Sequence, residues 1–212
     1  MKEQTWLLKN KNPLTFYALV ILAIFISKFF LPPNFVVSIA AMLMLLPILL
    51  KADGGFFKYD LKGVVLGIVV SGLLLTIYTA VIYFYGLYTE QSLVFNSLPV
   101  AFVLTQLLLV ALPEEVFFRG YLQTRIGNNI KGIIIVSLLF ALGHFITLCL
   151  AGGHNIAICS QAVLTFFPSL VMGYLFYKTK TLWASIIFHF FANIVHIAIA
   201  LTWILRDCKF LN

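Results

Sequence analysis

Leu98 to Gly120 reads LPVAFVLTQLLLVALPEEVFFRG: a long, mostly apolar run to Leu112, then Pro113, Glu114 and Glu115, and Arg119 four residues after the second glutamate. The run is the length of a bilayer-crossing helix. Ionisable groups attached to such a helix are costly, so by default they mark a working site. If the helix continues past Pro113, Glu115 and Arg119 stand at i,i+4 on one face and can pair. Glu114 is then turned about 100° away, with no partner from its own segment. Glu114 is the free carboxylate on this reading; the plainer alternative is that both glutamates anchor a helix end at the lipid interface. Pro113 removes a backbone donor and disfavours straight helix at Leu112, which predicts a kink or a fresh helix start there.

The whole chain belongs to the same class. Of its 212 residues, 62% are hydrophobic and 10% charged, with a mean hydropathy of +1.06. A soluble globule is about a quarter charged. The expected fold is all-α: a polytopic transmembrane helical bundle of about seven spans with a kinked catalytic helix, too uniformly apolar for a barrel. The spans fall near 13–31, 35–50, 63–85, 98–119, 130–150, 156–177 and 182–205, within one membrane-embedded domain covering 1–212. Residues 13–97 form its N-terminal spans and 98–198 carry the motifs.

The net charge of +7 raises the question of a nucleic-acid partner, but the basic residues are scattered through short loops without a stripe, so none is expected. Alternating the loops places eleven of the 14 basic residues on one side, leaving Lys28, Arg206 and Lys209 on the other. The bias predicts an integral membrane protein with a cytoplasmic N-terminus and an outside C-terminus; a bacterial inner membrane is the expected location. Lys28 is expected to snorkel outward. Tyr78, Tyr83, Tyr85 and Tyr88 read as an interfacial belt, with a ligand-stacking site as the alternative. Cys149, Cys159 and Cys208 lack metal-type spacing and read as small apolar fillers or idle thiols.

Three of the four histidines lie in apolar spans. Phe140 and His144 share a face at i,i+4; His189, Asn193 and His196 share another at i, i+4 and i+7. His154, among glycines, reads as a solvated loop residue. Singly, such groups can be hydrogen-bonding links between helices. Together, a glutamate, histidines and an asparagine supply a base for water, donors for an oxyanion and acceptable metal ligands. There is no His-Glu-x-x-His zinc motif, no Gly-x-Ser-x-Gly nucleophile and no membrane-embedded aspartate pair, so the nucleophile on offer is an activated water.

Glu-Glu-x-x-x-Arg at Glu114 to Arg119, Phe-x-x-x-His at Phe140 to His144 and His-x-x-x-Asn at His189 to Asn193 resemble, in order, the three motifs of the CAAX-protease and bacteriocin-processing family of intramembrane endopeptidases. The resemblance covers about half of the chain and leaves the first three spans unassigned. It implies that Glu114 activates the attacking water, His144 helps hold it, and His189 with Asn193 stabilises the oxyanion. Glu115 and Arg119 would support the helix; Phe140 belongs to the second motif, and His196, one turn beyond the third, is a group behind the site or a packing residue. No cofactor is favoured, since the glutamate mechanism is preferred, but Glu114, His144 and His189 are acceptable zinc ligands in type. The expected partners are the lipid bilayer and a membrane-anchored peptide or protein substrate. Two other functions fit parts of the pattern: a proton-coupled transporter or channel, and a catalytically silent scaffold of the same fold.

Overall fold

The computed structural model describes residues 13–49, 58–89, 97–152 and 155–208; His154 lies outside them. Among these there are seven helices and no strand: α1 (Pro13–Phe30), α2 (Pro33–Leu49), α3 (Leu61–Tyr88), α4 (Val100–Ile126), α5 (Ile130–Leu150), α6 (Ile156–Thr179) and α7 (Trp183–Cys208). By length and composition α1, α3, α4, α5 and α6 can each cross a membrane; α2 and α7 contain shorter apolar stretches, Pro33–Pro47 and Trp183–Ile199. Many large apolar side chains, such as Val69, Leu73, Ile77 and Val81 of α3, face outward. That is the surface of an integral membrane protein, whose surroundings are as apolar as its core.

Helix starts follow local chemistry. Asp60 caps α3 by accepting from the N–H groups of Lys62 and Gly63, Asn129 caps α5 through Gly132, and Asn155 caps α6 through Ala157. Gly127, with φ of 150°, takes a backbone conformation that glycine alone adopts cheaply and turns the chain from α4 into α5. Gly67 has a different role: a Cβ there would stand 2.9 Å from the backbone of Ala184, so its absence lets α3 lie close against α7.

The core is shared between the N-terminal helices and the motif-bearing ones. Tyr17, Val20, Ile21 and Ile24 of α1 and Val36 and Met44 of α2 are buried in one cluster with Phe117, Phe118, Tyr121, Phe140, Met172 and Phe188. The Tyr17 hydroxyl donates to the Leu139 carbonyl oxygen in α5 at 2.7 Å.

Several expectations are corrected. Helix α4 does not end near Arg119 but runs on to Ile126, which leaves Glu114 near its middle and Arg119 fully buried. Pro113 starts no fresh helix; the chain stays helical, with Leu112–Glu115 in α conformation between two π-helical stretches, Gln106–Ala111 and Val116–Gln123. A proline ring crowds the carbonyl four residues back, and widening the turn relieves that clash without breaking the helix. The amide of Leu112 accordingly bonds to Leu107, five residues back. Near Pro168 the same crowding appears as a break at Thr165, between Ile156–Leu164 and Phe166–Thr179.

Lys28 does not snorkel outward. It donates to the Thr147 carbonyl oxygen at 2.5 Å, within the π-helical stretch Phe145–Leu150 of α5. Cys149 and Cys159 are not idle thiols but a disulfide that ties the end of α5 to the start of α6. The helix reversal at Ala151-Gly152 brings together two residues only ten apart, which helical periodicity does not reveal.

Candidate active site

Helix α4 places Glu114 and Glu115 on different faces, and the two meet different surroundings. The Glu115 carboxylate lies 3.2 Å from Arg119 Nε, and both side chains have 0% exposure. Its other oxygen accepts from His189 Nδ1 at 2.9 Å. Arg119 donates through Nη2 to Ser169 Oγ at 3.0 Å, while its guanidinium carbon lies 5.4 Å from the centre of the Phe140 ring. Its Nε and Nη1 make no aligned hydrogen bond, so charge and ring contact, not a bidentate fork, hold the guanidinium.

Glu114 faces the other way. Its side chain is 15% exposed, and Oε2 is buried without a hydrogen-bond partner. Two ring nitrogens approach that oxygen: His189 Nε2 at 3.7 Å and His144 Nε2 at 4.0 Å. Both distances exceed a direct hydrogen bond and suit a small bridging species.

The far side of each ring is fixed. His144 Nδ1 lies 3.0 Å from the Phe140 carbonyl oxygen and His189 Nδ1 faces the Glu115 carboxylate. Both partners are acceptors, so each ring keeps its proton on Nδ1 and turns Nε2 toward Glu114. Phe140 braces this arrangement, with its ring centre 4.4 Å from that of His144, 5.8 Å from His189 and 4.9 Å from Phe118.

A cavity of about 400 Å³ opens onto these rings. His144, His189 and Asn193 line one part of it; Leu74, Leu164, Phe167, Val171, Met172 and Phe188 supply apolar walls. A larger groove of about 630 Å³ on the outer side of α3 and α7 reaches none of the histidines or glutamates, and the chemistry therefore points to the smaller cavity. Asn193 Nδ2 donates to Gln106 Oε1 at 3.2 Å. His196 Nδ1 lies 2.9 Å from the Tyr78 hydroxyl, and both residues line the cavity.

Three contributors escape a reading of spacing alone. Gln106 is the single amide in the apolar run before Pro113, and that isolation is the signal that could have found it. Ser169 beside Pro168 gave no signal. Tyr78 leaves the expected belt to meet His196, whereas Tyr83, Tyr85 and Tyr88 are exposed as a belt requires.

Zinc is tested by the same geometry. A tetrahedral zinc with bonds of about 2.0–2.2 Å places two ligand atoms about 3.4 Å apart. The two separations from Glu114 are wider, and among the described residues no three His, Cys, Asp or Glu are grouped as a metal site. The donor types suit zinc, and a zinc held there would draw both rings closer to Glu114 than they stand.

The fold and site define a polytopic helical membrane protein with a buried carboxylate and histidine centre beside an apolar cavity. Residues 96–195, a little under half of the chain, match the family described as type II CAAX prenyl endopeptidase Rce1-like, and over that stretch the chain is similar to this family. No curated protein and no solved structure matches the chain. The matched stretch contains Gln106, Glu114, Glu115, Arg119, Phe140, His144, His189 and Asn193; Tyr78 and His196 lie outside it.

Proposed function

We propose that this protein hydrolyses a peptide bond of a membrane-anchored substrate with a water activated by Glu114. The observation that carries the reading is the contrast between the carboxylates: Glu115 is engaged by Arg119 and His189, while Glu114 Oε2 has no hydrogen bond and faces two Nε2 atoms. A water held by Glu114 and His144 gives its proton to the carboxylate as its oxygen attacks the scissile carbonyl. The negative charge that develops on the carbonyl oxygen is met by Asn193 Nδ2 and by His189. Glu115 holds Nδ1 of His189 and so turns its Nε2 toward the site. Glu114 then passes the proton to the leaving amine.

The apolar cavity walls favour apolar residues beside the scissile bond. The family description supplies a probe, a prenylated CAAX peptide. A cytoplasmic N-terminus is supported by the charge bias, and under that orientation the disulfide at the α5–α6 reversal lies on the oxidising side, where disulfides persist.

The test uses full-length protein in liposomes with a quenched fluorescent, prenylated CAAX peptide. Wild type should cleave it and Glu114→Gln should not, with both equally folded. A chelator should leave the rate unchanged; activity lost to a chelator and restored by added zinc would replace the metal-free mechanism with a zinc-dependent one. Cleavage by Glu114→Gln at the wild-type rate would overturn the role of Glu114.

A further inference from the structure

Gln106 touches neither the cavity nor the carboxylates, yet it is hydrogen-bonded to a residue that does reach the cavity. It sits half-buried at the first position of the π-helical stretch Gln106–Ala111, eight residues before Glu114. As α4 runs from Gln106 to Glu115, α7 runs back from Asn193 to His189, so α4 holds both polar residues of the third motif, each through its own side chain.

We infer that Gln106 is a positioning residue that sets the orientation of the Asn193 amide. The inference rests on the hydrolytic reading above. An asparagine amide offers two N–H donors on one side and an acceptor on the other. Near an oxyanion the two faces have opposite effects: an N–H stabilises the developing charge, and Oδ1 repels it. Asn193 itself has no means of choosing. The bond from Nδ2 to Gln106 Oε1 fixes the amide plane by occupying one N–H, and this leaves the second with a defined direction beside the cavity. Gln106 acts through Asn193, which lines the cavity while Gln106 does not.

The residue types explain why a glutamine serves here. In an apolar run its carbonyl finds few competing donors, and its three-bond side chain spans the gap between two helices. The proline-widened stretch that begins at Gln106 also sets its rotational phase relative to Glu114, so one helix carries both the base and the group that orients the oxyanion donor.

Two measurements test this. In full-length protein labelled with ¹⁵N-asparagine, the Asn193 side-chain amide, assigned by its disappearance in Asn193→Ala, should show one N–H protected from exchange. Gln106→Leu should abolish that protection. In the liposome assay, Gln106→Leu should lower kcat about tenfold with KM unchanged, less than the roughly 10²–10³ loss expected for a whole oxyanion donor. The same change in an Asn193→Ala background should lower kcat no further. Gln106→Glu, which keeps an acceptor oxygen, should retain more turnover than Gln106→Met, which keeps only the shape. Unchanged amide protection in Gln106→Leu, or losses that multiply in the double variant, would overturn the inference even while Glu114→Gln remains inactive. If instead wild type and Glu114→Gln are indistinguishable, the hydrolytic reading fails with it, and the amide protection alone reports whether the pairing exists. A Gln106→Leu that does not fold is replaced by Gln106→Met in both measurements.

Discussion

Glu114 and Glu115 are neighbours in the chain, yet they face regions of the bundle built on different plans. Around Glu115 the structure is closed: a guanidinium at 3.2 Å, an imidazole nitrogen at 2.9 Å, and Ser169 and Phe140 behind them. Around Glu114 it is open, with ring nitrogens at 3.7 and 4.0 Å and a cavity beyond. A buried charge persists where it is paired, and a reacting group needs room for a substrate atom. Adjacent carboxylates can thus divide two roles that one could not combine, and His189 joins them, with Nδ1 on the closed side and Nε2 on the open one.

The largest effect that would break this comparison is on Glu114. Glu114→Gln should remove all measurable cleavage while leaving the thermal midpoint within a degree or two of wild type; a large drop in the midpoint would place Glu114 in the closed region after all. Arg119→Ala comes next. It leaves Glu115 buried with an uncompensated charge, which costs about 3–5 kcal/mol at full burial, and 0% exposure of both side chains puts the expected loss within that range. Denaturant or thermal unfolding in detergent measures it, and near-native stability would show that His189 alone suffices for Glu115.

Asn193→Ala sharpens the open side: kcat should fall by about 10²–10³ with little change in KM. A rise in KM with kcat preserved would make Asn193 a ground-state contact. The smallest effect is expected at the edge of the cavity. Tyr78→Phe removes one interhelical hydrogen bond to His196 and should cost about 0.6 kcal/mol of stability, the average for such bonds within membranes. A loss of turnover greater than this accounts for would give α3 a direct part in the reaction.

How much of this could be read from the sequence depended on whether an interaction lies within one helix or between two. Span positions followed from hydropathy, and the pairing of Glu115 with Arg119 from i,i+4 spacing, because both are local properties of a helix. Of the polar residues in the ordered motifs, His144, His189 and Asn193 line one cavity, and Glu114 lies behind the two rings. The meeting of Gln106 with Asn193, and of Tyr78 with His196, depends on helix crossings such as Gly67 against Ala184, and no periodicity encodes these. Arg119 misled because basic residues usually end spans, and its depth is set by α4 continuing to Ile126. The disulfide was obscured by an odd number of cysteines, though Gly152 between Cys149 and Cys159 stands where the chain doubles back.

The wide turns of α4 give the helix slack in its residue count. An α-turn uses 3.6 residues and a π-turn more, so Gln106–Ala111 carries length that the helix axis does not require. Losing a single residue there can be absorbed only by tightening toward ordinary α-helix, which brings the Pro113 ring back against the carbonyl four residues earlier; a deletion between Leu112 and Glu115 falls in the carboxylate-bearing turn itself and rotates Glu114 away from both histidines. Chain-length changes in α4 are therefore tolerated unequally, and the least tolerant segment is the one that carries the carboxylates.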